Sequence, residues 1–476
     1  MPEVPEVVAV RIERLSADDR LLLRTDKVWP QDVGVVATLE GGPLLDAQGR
    51  VRIEVAREAV RRGLAGLPRL RQVLRLPAPG LGGPFWVDDP SFDLTHHVRS
   101  GPPLESGDET ALLRAVEQIR SRRLDPSHPL WELWLLPGLD AGRLGMFVRM
   151  HHVVADGVAG MASLAALLRA PTEHLTRAQG VWAPTPEPSH RELLADGVRR
   201  HARAMGRGIA ATGHPRVALA TVAEAWRAMR ELVGGEAGPV TSLGGVVGPH
   251  RRLAILGAPL GDVEAVARAS NATINDVLLA MIAGGARALL TSRGEAVAEL
   301  ALPVLVPVSL RGRTPGTDLG NRISQMAVDL PVGEPDSRER LLLITAATSR
   351  VKAMSHPSMG MVFRNRVLSA VMLRFIIRKR MNLLSADIVG PTQPLSFAGA
   401  TVRDAFPLIN LLGNVTLGVG ALSYAGRFEL LAVADADLCP DLDVFAAGAA
   451  EELRVLGAAR PLGGAGLPRP GSMTQP

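Results

Sequence analysis

The residues best suited to chemistry stand at His151-His152-Val153-Val154-Ala155-Asp156-Gly157. A neutral imidazole accepts a proton near pH 7. Asp156 can fix histidine geometry or cap a helix. Gly157 lets the backbone approach a ligand closely, and an N–H at a helix start favours negative charge. The segment thus offers a base and a candidate oxyanion donor. Other readings of the same spacing stay open. Two histidines and an acid are also metal-ligand types, although adjacent histidines on a strand point to opposite faces and one metal rarely takes both. Asp156 can be a cap alone, and the histidines can be ordinary half-buried ones.

These residues need a strand to deliver them and a helix to follow. Leu144 to Met150 is short and apolar and predicts a strand, and Val158 to Arg169 has Ala, Leu and Met at helical spacing. Ala301 to Ser309 predicts another strand, whose prolines suggest an edge or an interruption. Val263 to Leu290 predicts two helices broken at Ser270-Asn271-Ala272-Thr273, with Thr273 as N-cap of the second. The uncharged stretch Ala405 to Gly426 is long enough to cross a bilayer. Its Pro407, Asn410, Asn414 and glycines instead predict two buried strands with a turn near Gly413-Asn414, so no transmembrane helix is expected.

The chain has 476 residues, 47% of them hydrophobic. Single cores stop growing at roughly 250–300 residues, so at least two domains are expected. Pro184, Pro186 and Pro188 open a linker, Arg191 to Glu231 is helical in composition, and Gly234, Gly235, Gly238 and Pro239 close it. The expected division is 1–183, a helical basic linker 184–239, 240–460, and a disordered Gly/Pro-rich tail 461–476. Nearly all basic residues are arginine, since only Lys27, Lys352 and Lys379 are lysines. With 3% aromatic residues there is little for bases to stack on, and nucleic acid is not expected as a partner. The single cysteine, Cys439, rules out a disulfide within the chain and fits a reducing cytoplasm. The acidic N-terminus does not read as a signal peptide. Two basic stretches have apolar neighbours, Arg199–Arg207 and Arg374–Leu384, and either suits a membrane surface or a packed amphipathic helix.

His-His-x-x-x-Asp-Gly after a strand resembles the motif of the chloramphenicol-acetyltransferase-like superfamily. Over nearly its whole length the chain is similar to the bacterial wax ester synthase/diacylglycerol acyltransferases within it. The similarity is carried by Arg14-Leu15-Ser16-Ala17-Asp18-Asp19, with Ala17 where a proline is usual, and by His128-Pro129-Leu130-Trp131-Glu132. Thr273-Ile274-Asn275-Asp276-Val277, Leu319-Gly320-Asn321-Arg322-Ile323-Ser324, Asp329-Leu330-Pro331 and Leu422-Ser423-Tyr424-Ala425-Gly426-Arg427 carry it further. One stretch departs from the pattern. Where the group has Ser-Asn-Val-Pro-Gly-Pro, this chain has Ala386-Asp387-Ile388-Val389-Gly390-Pro391.

The resemblance implies two α/β domains with mixed sheets and an active-site tunnel at their interface. It implies transfer of a long-chain acyl group from acyl-CoA to diacylglycerol, or to a fatty alcohol. His152 would be the general base, His151 supporting, Asp156 structural with Arg311 as its candidate partner, and Gly157 the oxyanion N–H. Pro129, Leu130, Trp131, Asn275 and Asp276 would be structural. No metal or cofactor is expected, acyl-CoA being a substrate, and Cys439 lacks the surroundings of a nucleophile. The expected location is the cytoplasm, peripherally on a membrane or lipid droplet. A condensation-type acyltransferase and a non-catalytic lipid-binding protein of the same fold are the alternatives.

Overall fold

The computed structural model describes residues 12–154, 182–212, 238–309, 323–353 and 381–458. Asp156, Gly157, Arg311, the Val158–Arg169 segment, residues 319–322, residues 374–380 and the tail beyond 460 lie outside the described residues.

The first half contributes β1 (Glu13–Arg14), α1 (Ala17–Thr25), β2 (Asp32–Glu40), α2 (Ile53–Gly63), β3 (Gln72–Arg75), β4 (Phe85–Asp88), β5 (Val98–Ser100), α3 (Glu109–Arg120), β6 (Trp131–Leu136) and β7 (Arg143–His151). The helix α4 (His190–Thr212) follows. The second half contributes β8 (Arg251–Pro259), α5 (Leu260–Ala269), α6 (Ile274–Ser292), β9 (Leu302–Ser309), β10 (Ile323–Leu330) and α7 (Ser337–Ala353). It continues with β11 (Leu383–Val389), β12 (Ser396–Phe397), β13 (Ala400–Leu408), β14 (Leu417–Tyr424), β15 (Arg427–Asp435) and α8 (Leu442–Ala458).

Two six-stranded mixed sheets form the body. One runs β12-β13-β2-β7-β6-β5 and the other β10-β9-β11-β14-β15-β8. A small sheet, β1-β4-β3, lies apart from them. The expected uncharged stretch does form two buried strands, with Gly413-Asn414 as a turn and Gly413 at φ 66°. Its strands belong to different sheets: β13 pairs with β2 of the first half, while β14 pairs with β11 and β15 of the second. The end of β13 passes close to β14, and a Cβ on Gly420 would stand 2.5 Å from the Pro407 carbonyl oxygen.

On β7 the period-2 alternation sorts side chains to two cores. Leu144, Met146, Val148 and Met150 face the α2 side with Ala56 and Val60. Phe147 joins a core shared by both halves, with Leu112, Leu253, Phe406 and Leu431. Alternation therefore places Arg149 and His151 on the face toward the second half.

Of the edge and the interruption that its prolines suggest, the strand at Leu302–Ser309 shows the interruption and is not an edge. It pairs with β10 along its full length. On its other side it meets β11 only at Val304 and Leu305, between Pro303 and Pro307. A proline has no N–H to give a ladder, so the second pairing is confined to the residues between them. The break at Ser270–Thr273 is as expected. Thr273 caps α6 in a capping box with Asp276. Helix α6 is the one described helix long and apolar enough to cross a membrane, and 72% of its apolar window is buried, under α8 and α7.

Candidate active site

His151 closes β7, opposite Asp32 of β2. Its backbone N–H donates to the Leu130 carbonyl at 2.9 Å, one residue before β6. His152 begins the turn, and its N–H donates to the Gln31 carbonyl at 2.8 Å. The two flanking strands thus hold the two histidines by the backbone. Leu130 also packs its side chain against Val153, with Leu15 and Trp86. Trp131 is fully buried, donates its indole N–H to the Leu70 carbonyl at 2.7 Å, and stacks on His97 with centroids 4.5 Å apart. The Pro129-Leu130-Trp131 segment therefore braces the histidine turn from the neighbouring strand.

The His151 ring is held by a hydrogen bond at Nδ1, and its buried Nε2 only stands near a carboxylate. Nδ1 accepts the Val153 N–H at 3.1 Å, so a neutral ring carries its proton on Nε2. Nε2 faces Asp26 Oδ1 at 3.4 Å. Asp26 is the C-cap of α1, and the same Oδ1 accepts the Gln31 N–H at 2.9 Å. Arg123 reaches its Oδ2 at 3.0 Å. Burial pushes the Asp26 carboxyl upward, but the nearby His151 ring, the hydrogen bond from the Gln31 N–H and the charge of Arg123 hold it below the ordinary carboxylate range.

Gln31 is fully buried and ties this corner to the second half. Its Oε1 accepts the Asn410 amide at 2.6 Å, and its Nε2 donates to the Trp29 carbonyl at 2.9 Å. Trp29 donates across the halves to the Val247 carbonyl at 3.0 Å. A cavity of about 340 Å³ opens beside these groups, lined by Leu23, Asp26, Gln31, Leu130, Arg149 and His151 among others. Beneath it Arg149 donates to Glu132 at 2.8 Å, and Arg120 to Asp32 at 3.0 Å.

Asn275 and Asp276 lie elsewhere, at the start of α6. The buried Asp276 carboxylate accepts from the Thr273 N–H and hydroxyl, both at 2.8 Å, and from the Thr348 hydroxyl at 2.7 Å. Asn275 stands half-buried beside it. Cys439 is fully buried, and burial pushes its thiol up to about 11. The sequence reading saw no basic neighbour for it; Arg293 does stand near, yet its charge does not offset the burial.

Sequence reasoning missed Asp26, Gln31 and Asn410. The one signal for Asn410 was a polar amide inside an uncharged stretch. Asp26 and Gln31 sit in a short connection with no motif of their own. Among the described residues no cluster of three or more metal-ligand side chains is present.

Comparison with known proteins extends the picture to the whole chain. Residues 15–278 match the wax ester synthase/diacylglycerol acyltransferase catalytic domain, and residues 319–457 match the WS/DGAT C-terminal domain. The "Probable diacyglycerol O-acyltransferase tgs1" of Mycobacterium tuberculosis is 31% identical over 426 residues, 87% of this chain and 89% of that protein. Among solved structures, the wax ester synthase/diacylglycerol acyltransferase from Marinobacter aquaeolei VT8 superposes with a TM-score of 0.64 at 21% identity, over 93% of this chain and 98% of that one. The first condensation domain of the CDA synthetase superposes with a TM-score of 0.56 at 17% identity, over 96% and 98%. Both share the fold of two α/β units with mixed sheets.

Proposed function

The chain belongs to the wax ester synthase/diacylglycerol acyltransferase family, and on that premise we propose that it moves a long-chain acyl group from acyl-CoA to the hydroxyl of diacylglycerol, with long-chain alcohols as a second acceptor. The observation that supports the assignment of roles is the ring of His151. With Nδ1 taken by the Val153 N–H and Nε2 turned to Asp26, it is a fixed support. His152, half-buried in the turn that follows, is the base.

His152 takes the proton of the acceptor hydroxyl as its oxygen attacks the thioester carbonyl. The tetrahedral intermediate collapses, the C–S bond breaks, and the CoA thiolate recovers the proton from His152. Gly157 donates its N–H to the oxyanion, and Asp156 holds the turn, with Arg311 as its candidate partner. No acyl-enzyme is required, in keeping with the raised thiol of buried Cys439. Acyl-CoA is a substrate in this scheme, and no metal or cofactor takes part.

The proposed place of work is the cytoplasmic face of a membrane or a lipid droplet, where water-insoluble acceptors gather. Helix α4 supports this reading. It is anchored by buried Leu193 and by Arg14 to Asp196 at 2.6 Å, while Leu194, Val198 and Met205 are exposed along one stripe and Arg199, Arg200 and Arg203 are exposed on other faces of the same helix. The experiment that tests the function is release of free CoA from long-chain acyl-CoA against a panel of diacylglycerol, fatty alcohols and amines. Ester formation with diacylglycerol is expected. Transfer to amines alone would favour a condensation-type enzyme, and no release with any acceptor would favour a lipid-binding protein.

A further inference from the structure

A second cavity, of about 400 Å³, lies between α3 and the entry to β8. Asp32, Arg114, Glu117, Arg120, His250 and Arg251 are among its walls. It adjoins the cavity beside His151, since both are lined by Pro30 and Asp32. Its two innermost cations come from different halves of the chain. The side chain of Arg120 is 3% exposed and that of Arg251 5%.

Each guanidinium is partnered on one side only. Arg120 turns Nε to Asp32 Oδ2 at 3.0 Å and Nη2 to Asp32 Oδ1 and its carbonyl at 3.4 Å. Arg251 gives Nη1 to the carbonyls of Gly248 at 2.7 Å and His250 at 2.9 Å, with Asp435 Oδ2 at 3.9 Å. Arg120 Nη1 and Arg251 Nη2 have no hydrogen-bond partner among the described residues. A buried donor without an acceptor is costly, and more so on a charged group. The two cations also repel: burial first, and then the charge of Arg120, pull Arg251 down to about 10.

The carboxylates around the cavity do not supply the missing acceptor. Asp32 is engaged by Arg120 and stands 3.9 Å from Arg149. Glu117 accepts the Leu253 N–H at 2.8 Å, and burial raises its pKa. Asp435 accepts the Gly248 N–H at 2.6 Å. What the site lacks is an anion with several oxygens, able to take one donor from each guanidinium and to offset their mutual repulsion. Arg114, exposed on the wall, adds a third cation.

We propose that this cavity binds a phosphoryl oxyanion, bridged between Arg120 Nη1 and Arg251 Nη2. Each guanidinium keeps one Nη without a partner among the described residues, and a tetrahedral anion has oxygens enough to take a single donor from each. The shared chemistry is the phosphoryl group. Its source is either a free phosphate ion or a phosphate of coenzyme A, and in the second case the inference rests on the donor proposed above.

Calorimetric titration of the purified full chain, with no acyl donor present, tests the site apart from turnover. The probes are inorganic phosphate, coenzyme A, and coenzyme A lacking its 3′-phosphate. At least one is expected to bind, and Arg251→Gln should weaken that binding about tenfold or more, one lost charge-assisted hydrogen bond corresponding to that factor. Arg114→Gln, an exposed change that leaves folding intact, should weaken it about two- to threefold by removing one rim charge. An Arg251 effect on both forms of coenzyme A would assign the diphosphate. An effect lost with the 3′-phosphate would assign that group, and an effect on inorganic phosphate alone would assign the free ion. Each of these supports the site. If no probe binds, or if binding is the same in Arg251→Gln and Arg114→Gln as in the parent, the cavity holds water and the proposal fails.

Discussion

Asp26 and Asp276 are two carboxylates, one in each half of the chain, and they do different things. Asp276 is 1% exposed and accepts three hydrogen bonds at the start of α6, from both donors of Thr273 and from Thr348 on α7. Asp26 is half-buried at the end of α1, lines a cavity, and faces the ring of His151. The first has its acceptor capacity filled by groups that fold the chain, and the second shares its oxygens with a ring at the edge of open space. A carboxylate beside a cavity can steer a proton-handling ring, whereas one closed over by donors sets the geometry of a helix.

Changes at the histidine turn and at Asp26 should therefore cut rate, and changes at α6 should cut stability. The largest effect is expected from His152→Ala. General-base catalysis contributes about 10²–10⁴-fold, or about 3–5 kcal/mol of barrier, so kcat should fall by that factor with the melting temperature unchanged. Near-normal turnover in folded His152→Ala would move the base elsewhere and dissolve the contrast. Asp276→Ala should do the reverse. Loss of the capping box and of a buried hydroxyl partner is expected to cost about 2–4 kcal/mol in denaturant unfolding. The kcat of the fraction that remains folded should stay within about twofold, because each factor of ten needs 1.36 kcal/mol.

Asp26 sharpens the contrast from the other side. Asp26→Ala removes the acceptor facing His151 Nε2 and should lower kcat about tenfold, near 1.4 kcal/mol. Asp26→Asn keeps an oxygen in place and should recover most of that rate. His151→Ala on top of Asp26→Ala should add little, since both act through one ring. A pH series separates position from stability. The folded pKa of Asp26 lies below that of a free aspartate, so its stabilisation is fully present above the free value and is lost as pH falls through the folded pKa. The parent should thus lose stability in acid that Asp26→Ala does not lose, while the rate difference near pH 7 persists. An Asp26→Ala rate equal to the parent at pH 7 would make the His151 contact incidental.

What could be read along the chain was local. The strand ending at the histidines rests on a run of apolar residues that both flanking strands accept, and the Thr273 cap on a three-residue spacing. The turn at Gly413-Asn414 was legible for the same reason. That its two strands enter different sheets was not, because β13 pairs with β2, some 360 positions earlier, through the shared core and the Thr38–Asp404 hydrogen bond. The pairing of Asp26 with His151 was hidden likewise. Neither α1 nor the Trp29-Pro30-Gln31 connection signals a partner more than a hundred residues away. The prolines of β9 signalled an interruption but not that it falls on the β11 side alone, because the composition of one strand does not say which neighbour each missing N–H faces.

The smallest effect concerns where the protein rests. Of the two basic stretches, residues 374–380 of Arg374–Leu384 lie outside the described residues, and Leu383 and Leu384 are in β11, with Leu383 in the core of the second sheet. Helix α4 carries the idea better. Leu194, Val198 and Met205 recur at i, i+4 and i+11, which places them along one stripe, 51%, 68% and 69% exposed. Arg199, Arg200 and Arg203 are exposed on the far side of the helix from that stripe, around the face on which Leu193 and Asp196 tie it down, so their charge reaches a surface under the stripe only across the helix. Each basic residue near an anionic surface contributes about 1 kcal/mol, and the attraction weakens over a Debye length of about 10 Å at 0.1 M salt. Co-sedimentation with anionic vesicles at low salt should therefore capture the protein, and rising salt should release it. Replacing Arg199, Arg200 and Arg203 with glutamine should weaken capture by about 2–3 kcal/mol in sum, without changing turnover on acceptors dispersed in detergent. Replacing Leu194, Val198 and Met205 with serine should weaken capture on neutral vesicles as well, since apolar burial does not depend on surface charge. If the arginine variant sediments with anionic vesicles as the parent does, α4 is a solvated helix and the contact with lipid lies on another face.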